Sequence, residues 1–213
     1  MSRQFTIIFD FDGTLADSLE LMLKLYNDSA DDFGSLPVDI TEVDELRKLG
    51  YKKAMKVKKI RLTTLPKLAL HVAREMKHHM HEVSPHEGII PMLEQLQRSG
   101  ISIGILTSNN AALVQDFLET NKFPEFDFVV SEKTLFSKEK ALKRIMKRHH
   151  LKKEQVIYIG DEPRDVLSSQ RAGVKVFGVS WGLAGRVGLS KNPPDRIADT
   201  TDELYQYIIE AIQ

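Results

Sequence analysis

The chain has 213 residues, enough for one domain or one domain with a smaller insert at roughly 100 to 200 residues per domain. Its 30 Lys and Arg balance 30 Asp and Glu, so no net field draws the whole molecule toward nucleic acid or membrane, and 42% hydrophobic residues exclude the disordered classes. The absence of cysteine excludes a disulfide framework, a thiolate zinc site and a Cys nucleophile together.

The N-terminal apolar run is too short for a signal peptide, and no stretch of about 18 apolar residues occurs, so a cytoplasmic address and no membrane partner are expected. Thr6 to Phe9 is β-branched and aromatic and ends abruptly in Asp10-Phe11-Asp12-Gly13-Thr14, which reads as a buried strand running into a functional turn. Side chains two apart on an extended chain point the same way, so the carboxylates of Asp10 and Asp12 leave the strand end together. Two such charges are costly unless a cation neutralises them or one takes a proton; the alternative is an ordinary Asp-rich surface turn.

From Leu15 to about Pro85 no strand run appears, and the segment is expected to be all-helical. Leu19, Leu23, Tyr26 and Ala30 form one predicted stripe, and Leu65, Leu68, Val72 and Met76 another. Thr41 with Asp44 resembles a capping box before a helix that stops at Gly50. About 70 residues is long for a loop, so residues 16–85 are expected to be a helical cap, with 1–15 and 86–213 forming the core. Charge is segregated within this region. From Asp10 to Glu45 there are 11 acidic residues against Lys24, and from Arg47 to His79 there are 11 Lys and Arg against Glu75. Facing solvated arms are one reading and an arm that attracts an anionic substrate is another. Nucleic-acid binding is not expected, because only Tyr51 is interleaved with the lysines. His78 and His81 could share a helical face as metal ligands or lie on a solvated one.

Four further strands are predicted at Ile101–Leu106, Phe126–Val130, Val156–Ile159 and Val174–Val179. Helical stretches lie between them, the one from Arg164 to Ala172 closed by Gly173. Alternation of this kind indicates an α/β fold, a doubly wound parallel Rossmann-like sheet of about five strands. Thr107, Ser108 and Asn109 follow the second core strand, where hydroxyls and backbone N–H groups make either an anion site or a plain helix cap. Lys138 opens a helix against the dipole, which suggests another use for its charge, and Lys140 stands two residues on as the alternative. Asp161, in Gly160-Asp161-Glu162-Pro163-Arg164-Asp165, would emerge at the same sheet edge as Asp10, with Asp165 one helical turn further to support it. A hard cation such as Mg²⁺ is the expected occupant, unless Asp161 simply caps the next helix. Trp181 is expected to pack over the sheet edge, and Lys191 to Pro194 to connect to a terminal helix.

DFDGT, ILTSN, the lysine opening the next helix and GDEPRD, in that order around a helical insert, resemble the motifs of the haloacid dehalogenase superfamily, in its phosphoglycolate-phosphatase-like branch with an α-helical cap. The resemblance spans Thr6 to about Trp181. It implies a Mg²⁺-dependent phosphatase acting on a small phosphorylated metabolite, with Asp10 as nucleophile, Asp12 as acid and base, Thr107 and the adjoining backbone at the phosphoryl group, and Lys138 neutralising charge. Asp10, Asp161 and the Asp12 carbonyl would hold the metal. Asp12 favours phosphate esters over a dehalogenase, which has no leaving group to protonate. A phosphomutase or a non-catalytic binding domain is the alternative, and the identity of the ester and the oligomeric state stay open.

Overall fold

The computed structural model describes residues 5–132 and 138–213. They form two compact units, Met1–Asp17 with Pro85–Gln213, and Ser18–Ser84. In chain order the first unit contains β1 (Thr6–Phe9) and β2 (Ala16–Asp17). The second holds α1 (Leu19–Ser29), α2 (Val43–Leu49), α3 (Tyr51–Val57) and α4 (Leu65–His79). The chain returns through β3 (Ser84–Pro85), α5 (Ile89–Arg98), β4 (Ser102–Thr107), α6 (Ala111–Thr120) and β5 (Phe128–Ser131). It ends with α7 (Lys138–Arg148), β6 (Val156–Gly160), α8 (Pro163–Ala172), β7 (Lys175–Val179), α9 (Gly185–Leu189), β8 (Arg196–Ala198) and α10 (Thr201–Ile212). Among the described residues no helix is long and apolar enough to cross a membrane.

The main sheet is parallel, in the order β5-β4-β1-β6-β7-β8. β1 lies between β4 and β6, so the order of connection reverses beside it, and the carboxyl ends of β1 and β6 flank the crevice where such sheets bind ligands. Every residue of β1 is buried because both faces are covered. On one face Ile8, Leu106 and Tyr158 pack with Ala141, Leu142 and Ile145 of α7 and Val166 of α8. Strand alternation sends Ile7, Phe9, Ile103 and Ile105 to the other face, each fully buried, where α5 packs on β4 and α10. Each such side chain contributes about 1.5 to 3 kcal/mol of transfer free energy, which fixes the strand ends that carry the polar residues.

Among the described residues the sheet has six strands rather than about five. The missed one, β8, is three residues long, contains Arg196 and lies at the edge beside β7, so no apolar run announces it. The predicted left-handed cap at Gly173 is present, with φ 76°.

In the helical unit the capping box lies two residues earlier than Thr41 with Asp44. The Asp39 side chain accepts from the Thr41 N–H at 2.8 Å, and Glu42 accepts from the Asp39 N–H at 2.9 Å. An extended Asp39 starts the single turn Ile40–Glu42 that leads into α2, which is why Asp39 and not Thr41 is the cap. The buried stripe of α1 is Leu21, Leu25 and Ser29, continuing to Ala30, whereas Leu19, Leu23 and Tyr26 are only half-buried. The four-residue spacing of those leucines faces α4, whose Leu68 and Val72 are buried as expected. Lys58 is the basic-arm residue drawn inward, donating to Glu42 at 2.7 Å and to the Pro37 carbonyl at 2.8 Å.

Candidate active site

The turn after β1 is held by its middle residue. Phe11 is fully buried, meets Phe117 edge-on at 5.1 Å, and its carbonyl accepts from the N–H groups of Leu15 and Ala16. With Phe11 anchored in the core, Asp10 and Asp12 turn the opposite way, at the carboxyl edge of the sheet. Gly13 adopts φ +69°, and a Cβ there would lie 2.5 Å from Asp161 Oδ2. The position therefore needs glycine for conformation and for room.

Asp10 is buried. Its Oδ1 accepts from the Phe11 N–H at 2.8 Å and its Oδ2 from Lys138 Nζ at 2.5 Å. Burial raises its carboxyl above the ordinary range, and the attraction of Lys138 opposes that rise. Asp12 accepts from the Asn109 carboxamide at 3.3 Å through Oδ2, while its buried Oδ1 has no hydrogen-bond partner among the described residues. Burial and the neighbouring Asp10 push Asp12 up to about 6. Two carboxyl groups two residues apart are thus placed differently: Asp10 against a cation, Asp12 with one oxygen free and a proton within reach near neutral pH.

Lys138 comes from the first turn of α7 and is 2% exposed. Its ammonium lies 2.6 Å from Asp165 Oδ1 as well as 2.5 Å from Asp10, and 5.5 Å from the Tyr158 ring centroid. Burial pulls its pKa down, but Asp10 and Asp165 more than offset this and hold the group charged. Lys140 is exposed. Phe136 and Ser137, which precede the lysine, lie outside the described residues.

Asp161 follows β6 directly. Its Oδ2 accepts from the Leu183 N–H at 2.7 Å, and its buried Oδ1 has no partner among the described residues. Burial, then Glu162, Asp165 and Asp10, push it well up. It does not cap α8, since the cap position belongs to Glu162. Asp165 is fully buried and has both oxygens engaged, Oδ1 by Lys138 and Oδ2 by the Glu162 N–H at 3.1 Å. Asp10, Asp161 and Asp165 each bring a carboxylate oxygen within 4.8 Å of the others. Such a cluster is strongly unfavourable when ionised and uncompensated. All its donors are oxygens and Asp161 Oδ1 is free, so the residues fit a hard divalent cation. Among the described residues no such group includes His78 or His81; His79 pairs with Glu82 at 2.5 Å instead.

At the end of β4, Thr107 is fully buried and its Oγ1 accepts from the Asn109 N–H at 2.9 Å. Asn109 bridges two strands, giving its carbonyl to Ser131 Oγ at 2.6 Å and its carboxamide to Asp12. The helix cap is Asn110, whose side chain accepts from the Ala112 N–H, so Thr107, Ser108 and Asn109 are not spent on capping α6. Ser108 is half-buried in the same loop.

Sequence reasoning missed Tyr158 beneath Lys138, the Glu162–Arg164 contact and the close packing of Gly182 on Asp161. A glycine just after the last long strand was the available signal for the third. Trp181 stacks on His86 at 4.4 Å and donates from Nε1 to the Thr14 carbonyl at 3.2 Å, bracing the Asp10–Thr14 turn.

The family model for haloacid dehalogenase-like hydrolases matches residues 7–179. Over 208 residues the chain is 30% identical to the phosphoglycolate phosphatase of Synechococcus elongatus, which covers 97% of this chain and 98% of that protein. It is 27% identical over 205 residues to the pyrophosphatase PpaX of Bacillus cereus, covering 93% and 94% respectively. The crystal structure of a predicted phosphatase from Clostridium acetobutylicum matches with a TM-score of 0.76 and 25% identity, over 98% of this chain and 100% of that one.

Proposed function

The chain belongs to the haloacid dehalogenase-like hydrolase family, and on that premise we propose that it is a Mg²⁺-dependent phosphatase that hydrolyses a small phosphate monoester through a phosphorylated Asp10. The observation that carries the reading is the contrast between Asp10, set against Lys138, and Asp12, with an unpartnered oxygen and a carboxyl raised to about 6. One carboxylate is placed to attack and the other to move a proton.

In the first step a carboxylate oxygen of Asp10 bonds to phosphorus while the bond from phosphorus to the ester oxygen breaks. Asp12 gives its proton to that leaving oxygen. In the second step Asp12, now ionised, takes a proton from the water whose oxygen bonds to phosphorus; the Asp10–phosphorus bond breaks, and inorganic phosphate leaves. Lys138 neutralises charge on Asp10 and the transferring group, and the Thr107 loop offers a hydroxyl and backbone N–H groups to the phosphoryl oxygens. Asp10, Asp161 and the Asp12 carbonyl would hold the Mg²⁺, with Asp165 supporting through Lys138 and Glu162. Bound there, the ion would draw charge from the phosphoryl oxygens. The helical unit, Ser18–Ser84, is read as the family's cap.

The substrate class is a phosphoglycolate-like or sugar phosphate ester. The relatives support a compact substrate with a second anionic group, since phosphoglycolate carries a carboxylate and pyrophosphate a second phosphate. The test is phosphate release from 2-phosphoglycolate, pyrophosphate, sugar phosphates, nucleoside monophosphates and simple alkyl phosphates without a second anionic group, with Mg²⁺ or chelator, for the wild type and Asp10→Asn. Metal-dependent release that vanishes in the variant is expected. Release that persists in Asp10→Asn rules out the covalent step, and silence from every compound rules out the phosphatase.

A further inference from the structure

Five buried side-chain atoms have no hydrogen-bond partner among the described residues: Asp12 Oδ1, Thr14 Oγ1, Asp161 Oδ1, Arg164 Nε and Ser169 Oγ. The proton transfer and the cation account for the two carboxylate oxygens, and a hydroxyl can turn its hydrogen toward an acceptor. Arg164 Nε is different. It is a charged donor with a fixed direction, and a buried donor without an acceptor is an expensive feature to retain.

Arg164 is the second residue of α8, three beyond Asp161 and immediately before Asp165. Its Nη2 contacts Glu162 Oε1, which fixes one side of the planar fork. The side chain is 31% exposed, so the guanidinium is neither sealed in the core nor loose on the surface. Lys138 is occupied by Asp10 and Asp165. Arg164 is therefore a cation of this sheet edge that the two phosphoryl-transfer steps do not use.

We propose that Arg164 is the specificity-determining residue that receives a second anionic group of the substrate, a carboxylate or a second phosphate, on Nε–H and its remaining Nη–H groups. Guanidinium donates two parallel hydrogen bonds to either group, and the unpartnered Nε supplies one of them. Glu162 holds the fork in place from Nη2. The inference rests on the phosphatase reading and deepens it by naming what selects the ester.

The experiment compares kcat and KM for a matched pair, 2-phosphoglycolate and 2-hydroxyethyl phosphate, which share a skeleton but not the carboxylate, alongside pyrophosphate. Wild type, Arg164→Gln and Arg164→Lys are assayed, with thermal midpoints to show that each folds. Arg164→Gln is expected to raise KM for the substrates with a second anionic group by about 10- to 100-fold while changing kcat/KM for 2-hydroxyethyl phosphate less than about threefold. Arg164→Lys recovers only part of the loss, because a point charge lacks the fork. Equal losses on both members of the pair, or wild-type turnover of 2-hydroxyethyl phosphate alone, overturn the role of Arg164 and leave the phosphatase standing. No phosphate release by the wild type from any ester defeats the phosphatase reading itself, and this inference with it.

Discussion

The ammonium of Lys138 lies 2.5 Å from Asp10 Oδ2 in a site where both side chains are buried, although 128 residues separate them in the chain. β1 places one partner and the first turn of α7 the other, and Asp165 completes the arrangement at 2.6 Å. Removing the cation leaves two buried carboxylates facing each other, so the change affects fold and chemistry together.

Lys138→Met is expected to lower kcat by at least about 100-fold, since a charge-stabilising group next to the transferring phosphoryl is lost. Without metal it should also destabilise the protein by about 3 to 5 kcal/mol at neutral pH, the range for orphaned buried charges. The deficit shrinks on acidification, because Asp10, already raised by burial, takes a proton more readily once Lys138 is gone. Urea unfolding at pH 7.5 and at pH 5, in chelator, measures both. A deficit independent of pH would mean that packing, not charge, is what Lys138 supplies.

Asp12 makes a separate prediction about pH. Its folded value of about 6 lies above the ordinary 3.8, so its contribution to stability is fully present below about pH 4 and is lost as pH rises through 6. The unfolded state releases the proton first, giving a fall of up to about 1.4 kcal/mol per pH unit between those values. Glu162, raised to about 7 chiefly by burial, adds a loss of the same sign slightly higher. Glu82, lowered to about 2 by its hydrogen bond to His79, acts in the opposite sense and only at more acid pH. Asp12→Asn should therefore flatten the wild-type decline between pH 4 and 6.5 in chelator. Parallel curves for the two proteins would place the Asp12 proton elsewhere.

Much of the site could be read from local sequence because its key residues follow strands directly. Asp10 and Asp161 each come just after a buried apolar strand and Thr107 ends one, and a parallel sheet brings those ends to one edge. The read was weaker where a partner is distant. Asp165 was expected to support Asp161, and its own oxygens are held by Lys138 and the Glu162 N–H. Asn109 was expected in an anion site or a helix cap, and its carboxamide meets Asp12. Nothing in the order of residues foretells that Trp181 stacks on His86, because only the closed fold puts them side by side. β8 and the Asp39 cap escaped for a local reason: a three-residue edge strand has no run, and two competing cap patterns overlapped at Asp39 to Asp44.

Gly182 tests the metal reading without touching a charged group. A Cβ at this position would overlap the Asp161 side chain and approach the Gly13 carbonyl, so alanine must displace the residue whose free oxygen is assigned to the cation. Asp161 has little room to yield, because the Leu183 N–H holds its other oxygen at 2.7 Å. Gly182→Ala is therefore expected to weaken Mg²⁺ binding by about 10- to 100-fold, as loss of support around a ligand does. Gly100→Ala is the control: it strains a backbone at φ +77°, but its Cβ meets nothing within 4 Å. That variant should lose about 1 kcal/mol of stability and keep its Mg²⁺ affinity. Calorimetric titration with Mg²⁺ alone reads the affinities independently of turnover. If Gly182→Ala binds Mg²⁺ as tightly as Gly100→Ala, Asp161 is not a ligand, and the cation must be held by the other carboxylates.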